Sequence, residues 1–310
     1  MPRMRTVLFL AAGALMLPTL SAQDALPGAQ VKAGGATIDV TFAPGRIDLP
    51  QSAILAWIST AAEAVSEYFG RFPVPHAHIV VRPAEGRTGI FRGMTYGSEG
   101  GLTRISVGQL TDQDELNNDW MMTHELIHMA FPDIAGEERE HHWIEEGMAT
   151  YIEPIARCQI GKMKVERVWG DMARYMPQGL PRDGDRGLDN THTWGRTYWG
   201  GALYWLAAEV KIREATNNRK GLQDAMRAIM QEGGTITSEW PLAHVLEVGD
   251  KATGTTVLTD LYNQMKATAV QTDLNELWQK LGIAVNNGVV TFNDKAPLAK
   301  IRKAITAKKK

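Results

Sequence analysis

The feature that most restricts this chain of 310 residues is a short run, His124, Glu125, Leu126, Ile127, His128, set in an apolar stretch. Trp120, Met121, Met122, Met129 and Phe131 surround it, so the spacing predicts a helix that is apolar on nearly every side and therefore buried. Side chains four residues apart stack on one helical face, which lets both imidazoles reach a single point while Glu125 lies beside it. Two histidines and a glutamate in a core cost free energy unless a partner satisfies them, and a divalent cation satisfies all three. A pair of hydrogen-bonded core histidines is the plainer alternative, and it leaves Glu125 without a role.

Zinc that does chemistry takes three protein ligands and keeps one position open for water. The segment Trp143, Ile144, Glu145, Glu146, Gly147, Met148, Ala149 supplies carboxylates for the third place. This stretch resembles the W-x-N-E-G-F-A signature that follows HExxH in the gluzincin metallopeptidases, above all in the alanyl-aminopeptidase and glycyl-aminopeptidase families. The resemblance implies a thermolysin-like α+β catalytic domain, with a small, mostly antiparallel sheet lobe, a helical lobe and the zinc cleft between them. It implies one Zn2+ per chain on His124, His128 and Glu146, with Glu125 as the general base that activates water for hydrolysis of a peptide bond. Seventeen residues lie between His128 and Glu146, where the family pattern has about eighteen. Position 145 is Glu where the family favours Asn, so Glu145 competes for the ligand role. Gly147 matches the family, and the loop with Pro132 and Gly136 can absorb a one-residue deletion. His141 and His142 read as surface groups or as groups that touch a ligand.

The run Tyr198, Trp199, Gly200, Gly201, Ala202, Leu203 resembles the Y-x-K-G-A-L segment of the same families. That implies Tyr198 as the donor to the oxyanion, with His192 as the fallback. Gly200 and Gly201 depart from the family and suit a helix that approaches its neighbour closely. Gly93, Met94, Thr95, Tyr96, Gly97 stands where the alanyl family has a G-x-M-E-N strand but lacks its glutamate, so preference for a free amino terminus is not carried over. Met94, Thr95 and Tyr96 remain the candidate substrate-binding residues, on a strand to which an extended peptide could add by its edge. The closing segment from Leu277 to Arg302 also resembles the end of a glycyl-aminopeptidase catalytic domain. A catalytic unit standing alone is the expectation.

Residues 36–42 alternate apolar and polar, the mark of a half-buried strand, and residues 51–69 switch to helical spacing. Further strands are expected at 78–82, 88–96 and 103–107. Thr111 with Asp114 reads as a helix start, and helices are expected near 138–153, 197–215, 220–232, 255–268 and 272–281. Gln178 to Asn190 reads as a long loop. The division expected is a signal at 1–22, a strand and helix lobe at 23–110, and a helical lobe with the zinc site at 111–310.

Arg3 and Arg5, an apolar run from Thr6 to Leu20 and small residues ending at Ala22 read as an export signal cleaved after Ala22. Export to the periplasm or the medium follows, with no stable membrane span after cleavage. Removing two of the 33 basic residues leaves 31 against 35 acidic ones, a formal charge of −4, which argues against a nucleic-acid partner. A peptide or protein substrate is the partner expected, and oligomeric state is not legible. With one cysteine, Cys158, no intrachain disulfide can form, and a buried, inert thiol is expected. Two other functions stay open on these residues: a catalytically silent zinc-binding protein, and a zinc hydrolase acting on a non-peptide substrate.

Overall fold

Strand β1 (Ala29–Ala33) pairs antiparallel with β2 (Ala36–Phe42), which buries every second side chain as its alternation requires. Helix α1 (Gln51–Phe69) follows and buries Ile54, Ile58, Ala62, Val65 and Phe69, ending at Gly70 with φ +85°. The chain then forms β3 (His76–Ala84), β4 (Ile90–Tyr96) and β5 (Leu102–Gly108). This computed structural model describes residues 28–97, 100–136 and 138–308, without the side chains of 138 and 139. The export signal read at 1–22 lies outside the described residues.

The main sheet has the order β1-β2-β3-β5-β4. The expected, mostly antiparallel sheet is corrected to a mixed one: β2 with β3 and β3 with β5 run parallel. For β2 and β3 the cause lies in α1, because a helix that crosses over between two strands returns the chain in its original direction; β3 and β5 run parallel because β4 carries the chain back between them. Strand β4 pairs antiparallel with β5 and forms one edge of the sheet, beside the helices described next.

Helix α2 (Gln113–Asn118) does not begin at Thr111 as expected. Asp112 caps it, accepting from the Glu115 amide at 2.8 Å, while Glu115 accepts from the Asp112 amide at 2.9 Å. The Thr111 hydroxyl donates instead to the carbonyl of Gly89. Helix α3 (Met121–His128) carries the HExxH run. Asp119 opens it by accepting from the amides of Met121 (3.1 Å) and Met122 (3.0 Å), and is itself held by the indole N–H of Trp57.

After the two-residue strand β6 (Asp133–Ile134) come α4 (Glu138–Gln159) and α5 (Val165–Tyr175). The helix expected at 197–215 starts as a π-helical turn, Arg196–Gly200, that runs into α6 (Gly201–Ala215). Then follow α7 (Leu222–Gln231), the short strand β7 (Glu239–Trp240), α8 (Leu242–Thr253), α9 (Val257–Met265) and α10 (Leu274–Leu281). The hairpin β8 (Ile283–Asn286) with β9 (Val289–Phe292) and α11 (Ala299–Thr306) complete the chain. The sequence reading missed β1, α5, α8, α11 and this hairpin. Helix α8 carries Gly249 and Asp250 inside it, poor helix formers; Asp250 is there to accept from the amides of Leu258 and Thr259, capping α9 from a distance.

One continuous apolar cluster runs from Val31 on β1 through α1, α3, α4 and α6 to Ile305 on α11. Among the described residues no helix is long and apolar enough to cross a membrane. Cys158 is half-buried where full burial was expected; burial and the charge of Glu166 push its thiol pKa up, which keeps it protonated and unreactive.

Candidate metal centre

Helix α3 delivers both histidines to one side, and α4 crosses it to deliver Glu146. His124 Nε2 lies 3.0 Å from Glu146 Oε2, His128 Nε2 lies 3.6 Å from the same oxygen, and the two Nε2 atoms are 3.3 Å apart. Ligands at zinc-like bond lengths in a tetrahedron stand about 3.3 Å from one another along each edge. The three donor atoms therefore already form one face of such a tetrahedron, and their chemistry, two imidazoles and a carboxylate, suits zinc. No protein acceptor meets the buried Nδ1 of His124 among the described residues. Packing holds that ring, with Trp120 edge-on at 5.3 Å and Tyr198 stacked at 6.4 Å.

Electrostatics point the same way. Burial opposes charge on His128, but the carboxylate of Glu146 3.6 Å away, with Glu125 and Glu145 behind, pushes its pKa up to about 9. Burial would raise the Glu146 carboxyl, yet the hydrogen bond from His124 and the charge of His128 hold it well below the usual carboxylate range. In the absence of an ion, a proton thus occupies the place between these donors, and a metal would displace it.

Glu125 is buried on the same helix, and its carboxylate faces the cleft that His128 and Glu146 also line. The sequence reading grouped Met94, Thr95 and Tyr96 as one substrate-binding set, but strand alternation divides them. The Thr95 hydroxyl donates to Glu125 Oε2 at 2.8 Å, so this side chain is committed to Glu125. Met94, more than half exposed, and Tyr96 touch each other, the phenol donating to the Met94 sulfur at 3.3 Å. All three residues line the cleft, which measures about 440 Å³ and also includes Asp133, His141, His142 and Glu145.

Tyr198, in the π-helical turn, lies beside Glu146 and stacks between His124 and the exposed Trp194. Burial and the negative charge of Glu146 push its pKa up to about 12, so it keeps its proton at neutral pH and is a donor. His192 is exposed on the preceding loop. Of the two glutamates, Glu146 supplies the converging oxygen. Glu145 lines the cleft, with a pKa raised to about 7 by burial and by the charges of Asp133 and Glu146. His142 Nε2 lies 3.5 Å from the outer oxygen of Glu146, and His141 meets the Tyr262 hydroxyl at 3.3 Å. The contact of Thr95 with Glu125 was missed, although the spacing Gly93-x-Thr95 on one strand face carried a trace of it.

No protein-family model and no curated protein matches this sequence. Solved structures do match in fold. An aminopeptidase N family protein from Idiomarina loihiensis aligns over 87% of this chain and 52% of its own, at 15% identity and a TM-score of 0.65. A point mutant of a two-domain M1 zinc metallopeptidase, bound to L-arginine, aligns over 80% of this chain and 53% of its own, at 16% identity and a TM-score of 0.53. A point mutant of an M1 zinc metallopeptidase from Deinococcus radiodurans gives 17% identity and a TM-score of 0.51 over the same shares. The chain thus spans about half the length of these structures, and its fold is similar to part of M1 zinc metallopeptidases.

Proposed function

We propose that this chain is a zinc-dependent peptidase, exported by its amino-terminal segment, in which His124, His128 and Glu146 hold one ion. The observation that carries the reading is the convergence of three donor atoms at tetrahedral edge distances, with Glu125 on the cleft side of the same helix. A zinc ion on these ligands supplies positive charge that polarises a carbonyl and acidifies water. Glu125 takes a proton from the attacking water and passes it to the leaving amine. Tyr198, protonated at neutral pH, donates to the oxygen on which negative charge develops. Strand β4, at the edge of the sheet, offers backbone to an extended peptide with Met94 and Tyr96 beside it, although the Gly93 amide already donates to the Met121 sulfur. The resemblance of the segments at 120–151 and 198–203 to gluzincin motifs and the fold shared with M1 zinc metallopeptidases support this reading.

The experiment is metal content of the purified protein together with cleavage of a mixed peptide library, for the wild type and Glu125→Gln. One zinc per chain in both, with chelator-sensitive cleavage by the wild type alone, is the expected result. Full activity in Glu125→Gln, or no bound zinc after reconstitution, sinks the reading.

A further inference from the structure

We propose that Thr95 is a positioning residue for Glu125 and that it gives the two oxygens of that carboxylate different tasks. The inference rests on Glu125 being the base.

The Thr95 hydroxyl stands 2.8 Å from Glu125 Oε2, 3.0 Å from the Glu125 carbonyl and 3.0 Å from the Thr103 hydroxyl. It has one proton to donate, and an ionised carboxylate is a stronger acceptor than either other oxygen. The proton of Thr95 therefore goes to Oε2, and Thr103, fully buried on β5, must be the donor to Thr95. An ordered chain results, from Thr103 to Thr95 to Glu125 Oε2.

Oε1 lies on the other side of the carboxylate, against Gly93. Pairing with β5 shifts between Phe91 and Met94, a bulge in which Arg92 adopts φ +55°. The bulge presses the backbone of Gly93 against Glu125, and a Cβ there would stand 2.5 Å from Oε1 and 2.7 Å from Cγ. With no side chain at 93, Oε1 has room that any other residue would take. Oε2 is the anchored oxygen; Oε1 receives the proton of the attacking water and hands it to the leaving amine. The edge strand next to a peptide substrate is thus also the strand that aims the base.

The test uses the zinc-loaded protein. Thr95→Val keeps the shape and removes the donor, and it is expected to lower kcat about tenfold or more with KM within about twofold of wild type and zinc content unchanged. Thr95→Ser returns the hydroxyl and is expected to recover most of the lost kcat. A second measurement needs no activity: thermal unfolding of Thr95→Val, Glu125→Ala and the double variant. The Tm losses of the single variants are expected not to add, because both remove the same contact. Wild-type kcat in Thr95→Val, a rise in KM alone, or additive Tm losses overturns the proposal. If the wild type cleaves no peptide, the peptidase reading fails by itself, and the unfolding cycle alone decides the Thr95 contact.

Discussion

Gly147 and Gly201 touch where α4 crosses α6, so closely that a Cβ on Gly147 would overlap the backbone of Gly201, and one on Gly201 would overlap the carbonyl of Trp143. Each glycine stands near a group of the site: Gly147 follows Glu146, and Gly201 opens α6 three residues after Tyr198. The crossing therefore sets where Tyr198 stands relative to Glu146. Gly147→Ala forces the two helices apart, at a cost of about 1–3 kcal/mol of stability. We expect a lower Tm and at least a tenfold weaker zinc affinity, both read by thermal unfolding with and without the metal; wild-type values for both would show that the helices have slack here.

Tyr198 presents a protonated hydroxyl beside Glu146. Tyr198→Phe removes that donor with little change in volume. Steady-state kinetics should show kcat lower by roughly a hundredfold or more, with KM and zinc content close to wild type. A variant with normal kcat would move the oxyanion role away from Tyr198, with His192 the next residue to change.

Zinc binding should depend on pH through His128. In the metal-free protein its pKa is raised from 6.5 to about 9, burial being outweighed by Glu146 and the neighbouring carboxylates. That pairing stabilises the metal-free fold in full below pH 6.5 and is lost as pH climbs through about 9. Glu146, shifted down from 4.5, contributes above that value and is lost as pH falls through its lowered pKa. Zinc must displace the proton on His128, so its apparent affinity should rise with pH up to about 9, with release of about one proton per chain near neutrality. Calorimetric titration in buffers of different ionisation enthalpy measures both; affinity that stays flat from neutral pH to about 9 would contradict the account.

Asp119 ties the amino end of α3 to α1 by accepting from two backbone amides and from the Trp57 indole. Asp119→Ala frees these donors and should cost about 1–2 kcal/mol of stability. Because α3 carries both histidines, zinc affinity should fall as well, while Asp119→Asn, which keeps an acceptor, should retain more of both. Equal losses in the two variants would assign the effect to charge.

Local periodicity determined much of this protein. Residues four apart on a helix share a face whatever surrounds them, so His124 and His128 were bound to meet. Of the apolar residues around them Met122, Leu126, Ile127, Met129 and Phe131 are buried as expected, while Trp120 is exposed and Met121 only partly buried. Alternation in β2 and the helical spacing of α1 were legible for the same reason, since period and hydrophobicity act within one element. Strand direction was not, because the parallel pairing of β2 with β3 depends on where α1 returns the chain. Nor could spacing choose between Glu145 and Glu146 or between Tyr198 and His192. Those choices depend on how α4 and the turn before α6 rotate against α3, which the contact of Gly147 with Gly201 governs. The same holds for Thr95, whose hydroxyl acquires its partner only because a bulge at Arg92 and Gly93 brings an edge strand against a helix thirty residues away in sequence. Contacts between elements come from packing, and packing is a property of the assembled core.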